Sequence, residues 1–304
     1  MASRWYKRLS VVVLSSPVPS NPQNIHALDD LFTSLEIVTH LNRANKIIQL
    51  DAPNPNLPKH RIDAYKQFET AVRLRAQSHT AYSDTIVNMA EIFQFHAHNL
   101  AAAIRVVETK FVLVLQHDFI LVKPFDAFNL LRTMDELPIV KHVRLNAGAN
   151  VERGFDGVIA NFTHGRVPLA RTCGWSDGPH VSTKAYYKKF VIPLNLKDHC
   201  QGRRKFMEES VHYRMQRLGR DGGCWALKKS VADGATRSSL KWPDDFNDYG
   251  TYLYGYADVD GSYTRHKTLR GNVSQWGREF KESARGGAGL GLRPSAVDCR
   301  RLRF

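Results

Sequence analysis

Apolar residues fall into short dense runs separated by polar, proline-bearing stretches. The sharpest run is Phe111-Val112-Leu113-Val114-Leu115, which stops at Gln116-His117-Asp118. A continuous run of this length and composition predicts a strand buried on both faces. A second run, Phe119-Ile120-Leu121-Val122, follows at once. Residues 9–14 predict a first strand, and residues 46–50, ending at Asp51, predict another. Between them, residues 25–41 place Leu28, Leu31, Leu35 and Val38 on one helical stripe. Pro17, Pro19 and Pro22 exclude regular structure from the loop after the first strand. Residues 59–78 predict a polar helix, and residues 99–107 an Ala-rich one leading into the strand at 111. This β-α-β-α-α-β order predicts a sheet of parallel strands with helical crossovers.

The second half is less regular. Residues 139–145 predict a strand, 151–182 a loop-rich region with short strands, and 203–218 a helix with Met207, Val211, Met215 and Leu218 on one face. Residues 249–270, rich in Tyr, Gly and Asp, predict a hairpin, and the Gly-rich stretch from 277 predicts a flexible basic tail over 277–304. Residues 1–276 are then one domain, and no internal repeat is visible.

Composition narrows the class. A hydrophobic share of 43% with 10% aromatics in 304 residues is that of a folded protein with a full core. No stretch approaches the roughly 20 apolar residues of a membrane span, and the apolar stretch at 9–13 is too short for a signal peptide. The four cysteines, Cys173, Cys200, Cys224 and Cys299, are scattered, which argues for a reducing, cytoplasmic compartment and against a zinc site. The net charge of +14 suits an anionic partner: nucleic acid, a phosphorylated small molecule or an anionic surface. That charge is diffuse, and its densest parts, Arg203-Arg204-Lys205 and Arg300-Arg301-Leu302-Arg303, also fit a solvated surface. A clustered basic stripe with interleaved aromatics is missing, which disfavours a nucleic-acid-binding module.

The candidate chemistry lies at strand ends. A carboxylate closing a central strand is costly to desolvate unless something uses it, and ligands of open α/β sheets sit at that edge. Asp118 can ligate Mg²⁺ or Mn²⁺ together with phosphate oxygens. Two further strands end in polar, proline-rich loops at Ser15-Ser16-Pro17 and at Asp51, so three strand ends on one edge would make a nucleotide-sized crevice. Asp51 also fits a turn residue ahead of Pro53.

With these residues in order, the chain resembles GT-A-fold glycosyltransferases of the large family-2-like group. The resemblance covers about residues 9–125 and is looser over 139–270. Asn99-Leu100-Ala101-Ala102-Ala103 is similar to the helix that precedes the metal-binding strand there, and Gln116-His117-Asp118 stands in place of Asp-x-Asp. The implied fold is α/β, a GT-A-type (Rossmann-like) mixed sheet, mostly parallel and flanked by helices. A nucleotide-sugar-binding half at about 9–125 and an acceptor-binding half at about 139–270 are likewise implied.

The implied activity is metal-assisted transfer of a sugar from a nucleoside-diphosphate sugar, UDP-linked by expectation, to a hydroxyl of a glycan or glycoconjugate. The implied donor site is Ser15, Ser16, Pro17, Asp51, Asn99 and His117. Gln116 removes one carboxylate of the motif, so the Mn²⁺ or Mg²⁺ site is Asp118 with His266, although His266 also fits a surface hairpin histidine. Phe206-Met207-Glu208-Glu209 resembles the Glu-Asp pair of inverting enzymes, whose second member is the base, giving Glu209 first and Glu208 second. Acids at a helix start also stabilise its dipole.

Trp175, Asp177 and His180 form the implied acceptor region: an aromatic ring beside polar groups suits a sugar, and a buried Trp before a turn explains the same letters. A retaining glycosyltransferase or a nucleotidylyltransferase on the same fold is the alternative, and it would need no base at Glu208 or Glu209.

Overall fold

The computed structural model describes residues 2–16, 25–91, 93, 96–150, 158–162, 165–200, 207–220 and 244–267. The elements follow in the order β1 (Leu9–Ser15), α1 (His26–Ser34), β2 (Asn45–Leu50), α2 (Lys59–Ser78), β3 (Thr85–Met89), α3 (His96–Val106), β4 (Phe111–Gln116), β5 (Phe119–Leu121), α4 (Ala127–Glu136), β6 (His142–Arg144), β7 (Val158–Phe162), β8 (Leu169–Thr172) and β9 (His180–Thr183). Then come α5 (Lys184–Tyr186), which passes through a π turn at Tyr187–Val191 into α6 (Ile192–Cys200), and α7 (Met207–Arg220). A short helix (Asp244–Tyr249), β10 (Thr251–Tyr254) and β11 (Thr264–His266) complete them.

Nine strands form one sheet in the order β3-β2-β1-β4-β9-β6-β10-β8-β7, and β5 with β11 makes a separate pair. Strands β3, β2, β1 and β4 are mutually parallel, as are β6 and β10, while β8 and β9 run against their neighbours. The fold is thus mixed α/β with a mostly parallel central sheet, as expected.

The unbroken apolar runs have a direct cause. Along β1, Val11 and Val13 enter one core with Leu28, Leu31, Phe68 and Leu130, while Val12 and Leu14 enter the other with Leu100, Ile104, Tyr187 and Met207. β4 divides likewise, with Leu113 and Leu115 on the first face and Val112 and Val114 on the second. A strand with helices on both faces has no solvent side, so its sequence does not alternate.

Several expectations are corrected. The helix from 25 ends at Ser34 and gives way to 3₁₀ turns at Leu35–Ile37 and Leu41–Arg43, with His40 at φ 67° between them. β3 escapes the apolar-run pattern because it is an edge strand whose Ile86 is 58% exposed. Residues 249–270 are not a hairpin. β10 inserts between β6 and β8, whereas β11 pairs with β5. Gly250 makes the sharp entry to β10 at φ 50°, where a Cβ would lie 2.5 Å from the Ile139 carbonyl. Cys173 is buried and disulfide-bonded, which runs against the expectation of a reducing compartment. Pro17, Arg203-Arg204-Lys205, Phe206 and the tail lie outside the described residues. Among the described residues no helix is long and apolar enough to cross a membrane.

Candidate active site

The strand register brings three strand ends to one edge. Ser15 pairs with Leu50, the residue before Asp51, and Leu14 pairs with Gln116. The crossover strands all run one way, so their C-terminal loops collect on this edge, as ligand sites of such sheets do. Ser15 is buried, and its hydroxyl has no hydrogen-bond partner among the described residues. Ser16 is exposed beside it. Asp51 is half-buried: its Oδ1 accepts the Ala52 N–H at 2.9 Å, and its carbonyl accepts the Tyr65 hydroxyl at 2.6 Å. Asn99 is buried on α3, whose apolar face packs under β1 and β2.

Beyond Gln116 the chain leaves the sheet. The His117 N–H still donates to the Leu14 carbonyl at 3.1 Å, and β5 then pairs with β11 in antiparallel register, Phe119 opposite His266. This pairing delivers His266 to Asp118, with Nε2 2.8 Å from Oδ2, and sets its ring edge-on to Phe119 at 4.9 Å. The next residue locks the arrangement twice. The Lys267 N–H donates to the Asp118 carbonyl at 2.6 Å, and its ammonium pairs with Asp30 of α1. Asp118 Oδ1 is different: it is buried, with no hydrogen-bond partner among the described residues. Such an oxygen calls for an explanation, and an ion is one. Burial holds the His117 imidazole below its ordinary value, against the opposing pull of Asp118. Among the described residues no group of three or more His, Cys, Asp or Glu is placed to hold a metal. Asp118 and His266 are thus two groups in direct contact, without a third of these residue types beside them among the described residues.

The second half of the chain reaches the same edge from the other side. β9 runs antiparallel to β4 with His180 opposite Val114, so the loop entering β9 lies beside the end of β4. Glu208, in the first turn of α7, faces that loop. Burial raises its carboxyl above the usual range; Ser176 hydrogen-bonds it and Arg144 attracts it, which oppose the rise, while Asp177 and Glu209 repel it and add to the rise. Glu208 is half-buried and Glu209 exposed. Asp177 is half-buried, while Trp175 and His180 are both 0% exposed, enclosed with the His142 ring 5.1 Å and 4.2 Å away. In this arrangement neither ring reaches solvent. Arg144 and His142 on β6, and His212 on α7, escaped the sequence reading. The available signal was a buried strand reading His-Val-Arg, whose polar positions an apolar core does not explain.

No family model and no curated protein matches the chain. Among solved structures, S. aureus TarS is similar at 13% identity over 62% of this chain and 31% of that one, with TM-score 0.39. The mannosyltransferase PcManGT from Pyrobaculum calidifontis, in complex with GDP-Man and Mn²⁺, is similar at 10% identity over 83% and 58%, with TM-score 0.41. CMP:2-keto-3-deoxy-manno-octonic acid synthetase, complexed with CTP, is similar at 12% identity over 92% and 99%, with TM-score 0.40. The chain spans 31% of the TarS chain and 48% of its 1–349 form. Likenesses of this size carry nothing about the reaction.

Proposed function

We propose that the chain is an inverting glycosyltransferase that moves a sugar from a nucleoside-diphosphate donor, UDP-linked in the first instance, to a hydroxyl of a glycan or glycoconjugate. The observation that carries this reading is the buried Oδ1 of Asp118, without a hydrogen-bond partner among the described residues, at the edge where β1, β2 and β4 end. One carboxylate and one imidazole fit a Mn²⁺ or Mg²⁺ ion whose remaining ligands are diphosphate oxygens and water. When bound, such an ion would neutralise the charge that develops on the leaving diphosphate.

The protein's own residues do the rest. Ser15, Ser16 and Asp51 receive the base and ribose, the carboxylate accepting hydrogen bonds from either. Asn99 and His117 flank the diphosphate end. Glu208 takes the acceptor hydroxyl's proton as its oxygen attacks the anomeric carbon. The bond from that carbon to the phosphate oxygen breaks, and the nucleoside diphosphate leaves with the electron pair. A carboxyl raised by burial and by Asp177 suits a general base better than the exposed Glu209, so the roles expected from sequence order are exchanged here. Asp177 lines the acceptor path, with Trp175 and His180 behind it.

The test is turnover of a panel of nucleoside-diphosphate sugars with and without Mn²⁺, read as nucleoside diphosphate released, in the wild type, Glu208→Gln and Glu209→Gln. Donor-specific release lost in Glu208→Gln supports the reading. Release of pyrophosphate from a nucleoside triphosphate and a sugar phosphate, with none from any nucleotide sugar, would refute it and identify a nucleotidylyltransferase.

A further inference from the structure

Three histidines on three elements converge on one short loop, and the chemistry above gives none of them a part in the transfer step. His142 of β6 has Nε2 3.1 Å from the Ser176 carbonyl. His180 of β9 has Nδ1 2.5 Å from the Gly178 carbonyl, and its Nε2 meets the Tyr187 hydroxyl. His212 of α7 has Nδ1 3.2 Å from the Trp175 amide nitrogen.

The partners fix the tautomers, because a carbonyl only accepts and an amide only donates. His142 carries its proton on Nε2. His180 carries it on Nδ1, so Nε2 accepts from the Tyr187 O–H. His212 leaves Nδ1 bare. The π turn at Tyr187–Val191 is the local device that sets the Tyr187 hydroxyl against His180. Further bonds tie the same stretch: Gly174 N–H to Thr172 Oγ1 at 2.9 Å, Gly178 N–H to Ser176 Oγ at 3.2 Å, and Leu145 N–H to the Pro179 carbonyl at 2.8 Å. All three histidines are buried, at 0% (His142), 0% (His180) and 4% (His212) exposure. Loops seldom have their backbone fastened at nearly every residue by side chains from three directions. Of the fastened residues Ser176 hydrogen-bonds Glu208, and Asp177, whose charge also acts on Glu208, lies between the fastened Ser176 and Gly178.

We propose that His142, His180 and His212 are positioning residues: as neutral imidazoles they clasp the backbone of Trp175–Gly178 and so hold Ser176 and Asp177 against the Glu208 carboxylate. The clasp sets the environment of the base without touching substrate, and it rests on the reading of Glu208 as that base. The charged groups around Glu208 are Asp177 on the loop, Arg144 on β6 and Glu209 on α7 itself.

The experiment compares His212→Leu with His212→Asn, whose Oδ1 takes the place of Nδ1 as acceptor, and His142→Met with His142→Gln, whose amide takes the place of Nε2–H as donor. The readout is the Glu208 titration, followed by NMR in ¹³C-Glu-labelled full-length protein and assigned with Glu208→Gln. Fold is checked by circular dichroism. The expected result is a Glu208 midpoint above the ordinary carboxylate range in the wild type, raised further in His212→Leu and His142→Met because the Ser176 hydrogen bond that lowers it outweighs the Asp177 repulsion that raises it, and restored in His212→Asn and His142→Gln. A Glu208 midpoint unmoved in folded His212→Leu or His142→Met would overturn the proposal. So would unfolding of all four variants, since ring packing would then matter and the hydrogen bonds would not. The result is distinguishable from failure of the proposed activity: a clasp confirmed by titration with no donor turned over leaves the positioning intact and removes the glycosyltransferase.

Discussion

Replacing Asp118 with Asn keeps the size of the side chain and removes its charge. Two quantities follow from the geometry. In the apo protein the loss is small, because the ion pair with His266 is part-exposed, at 24% and 41%, and such pairs contribute about 0–1 kcal/mol. With donor and Mn²⁺ the expected loss is larger, because Asp118 is the one carboxylate of the proposed metal site and Gln116 supplies no second. A donor complex present at about 100 times its dissociation constant stabilises the fold by ~2.7 kcal/mol. Weakening the metal 10- to 100-fold, about the effect of disturbing a metal's supporting residues, leaves roughly 0.4–1.4 kcal/mol of that. At about 2–4 °C per kcal/mol, a donor-induced rise in Tm of roughly 5–10 °C falls to about 1–5 °C. Differential scanning fluorimetry with and without Mn²⁺ measures both quantities. A His266→Ala variant should lose part of the increment in the same direction. A full Mn²⁺-dependent increment in Asp118→Asn, beside an unchanged apo Tm, would refute the assignment of Asp118 as metal ligand.

Further outcomes are expected. Glu208→Gln should lower transfer by about 10²–10⁴-fold, the range of a general base, while Glu209→Gln stays within a few-fold, as measured by nucleoside diphosphate release. Glu208 has a folded-state pKa above its unfolded one, so its ionisation opposes folding as pH rises through that interval; Glu208→Gln should remove this slope in urea unfolding at pH 4–8. His142 has the opposite sign. Burial, then His180 and Arg144, hold it well below its ordinary value, so its contribution is present above a pH of about 6.5 and lost below it. His142→Gln should flatten that part of the acid limb. Leu113→Ala, in the fully buried middle of β4, should destabilise by about 2–5 kcal/mol in denaturant titration with the m-value unchanged.

What could be read from the sequence and what could not have separate physical causes. The strands β1, β2 and β4 were legible because burial on both faces leaves an unbroken apolar run, and their parallel order followed from the helices between them. The polar helix Lys59–Ser78 was legible from its length and its flanking prolines. β3 was hidden because an edge strand is half exposed and carries little apolar signal. The destination of residues 249–270 was hidden because strand partners depend on distant segments: Tyr252 answers to Arg171 and Val143, and His266 to Phe119. The site divides in the same way. Asp118 announced itself by interrupting an apolar run. The preference for Glu208 over Glu209 depends on which side of α7 meets Ser176, and the importance of His142 and His212 depends on loop backbone they meet only in the fold.

The antiparallel pairing of β5 with β11 has a consequence for how the protein is made. Positions 118 and 266 are far apart in sequence, and β11 is the last of the described elements to leave the ribosome. A nascent chain that has folded β1 to β4 already displays Asp118, the first of the two proposed cation ligands, yet it lacks the second until synthesis has passed His266 and Lys267. On the proposed assignment, binding of the ion is coupled to completion of the fold: truncated chains would stay inert toward it, and Mn²⁺ affinity would report how much of the molecule has been assembled.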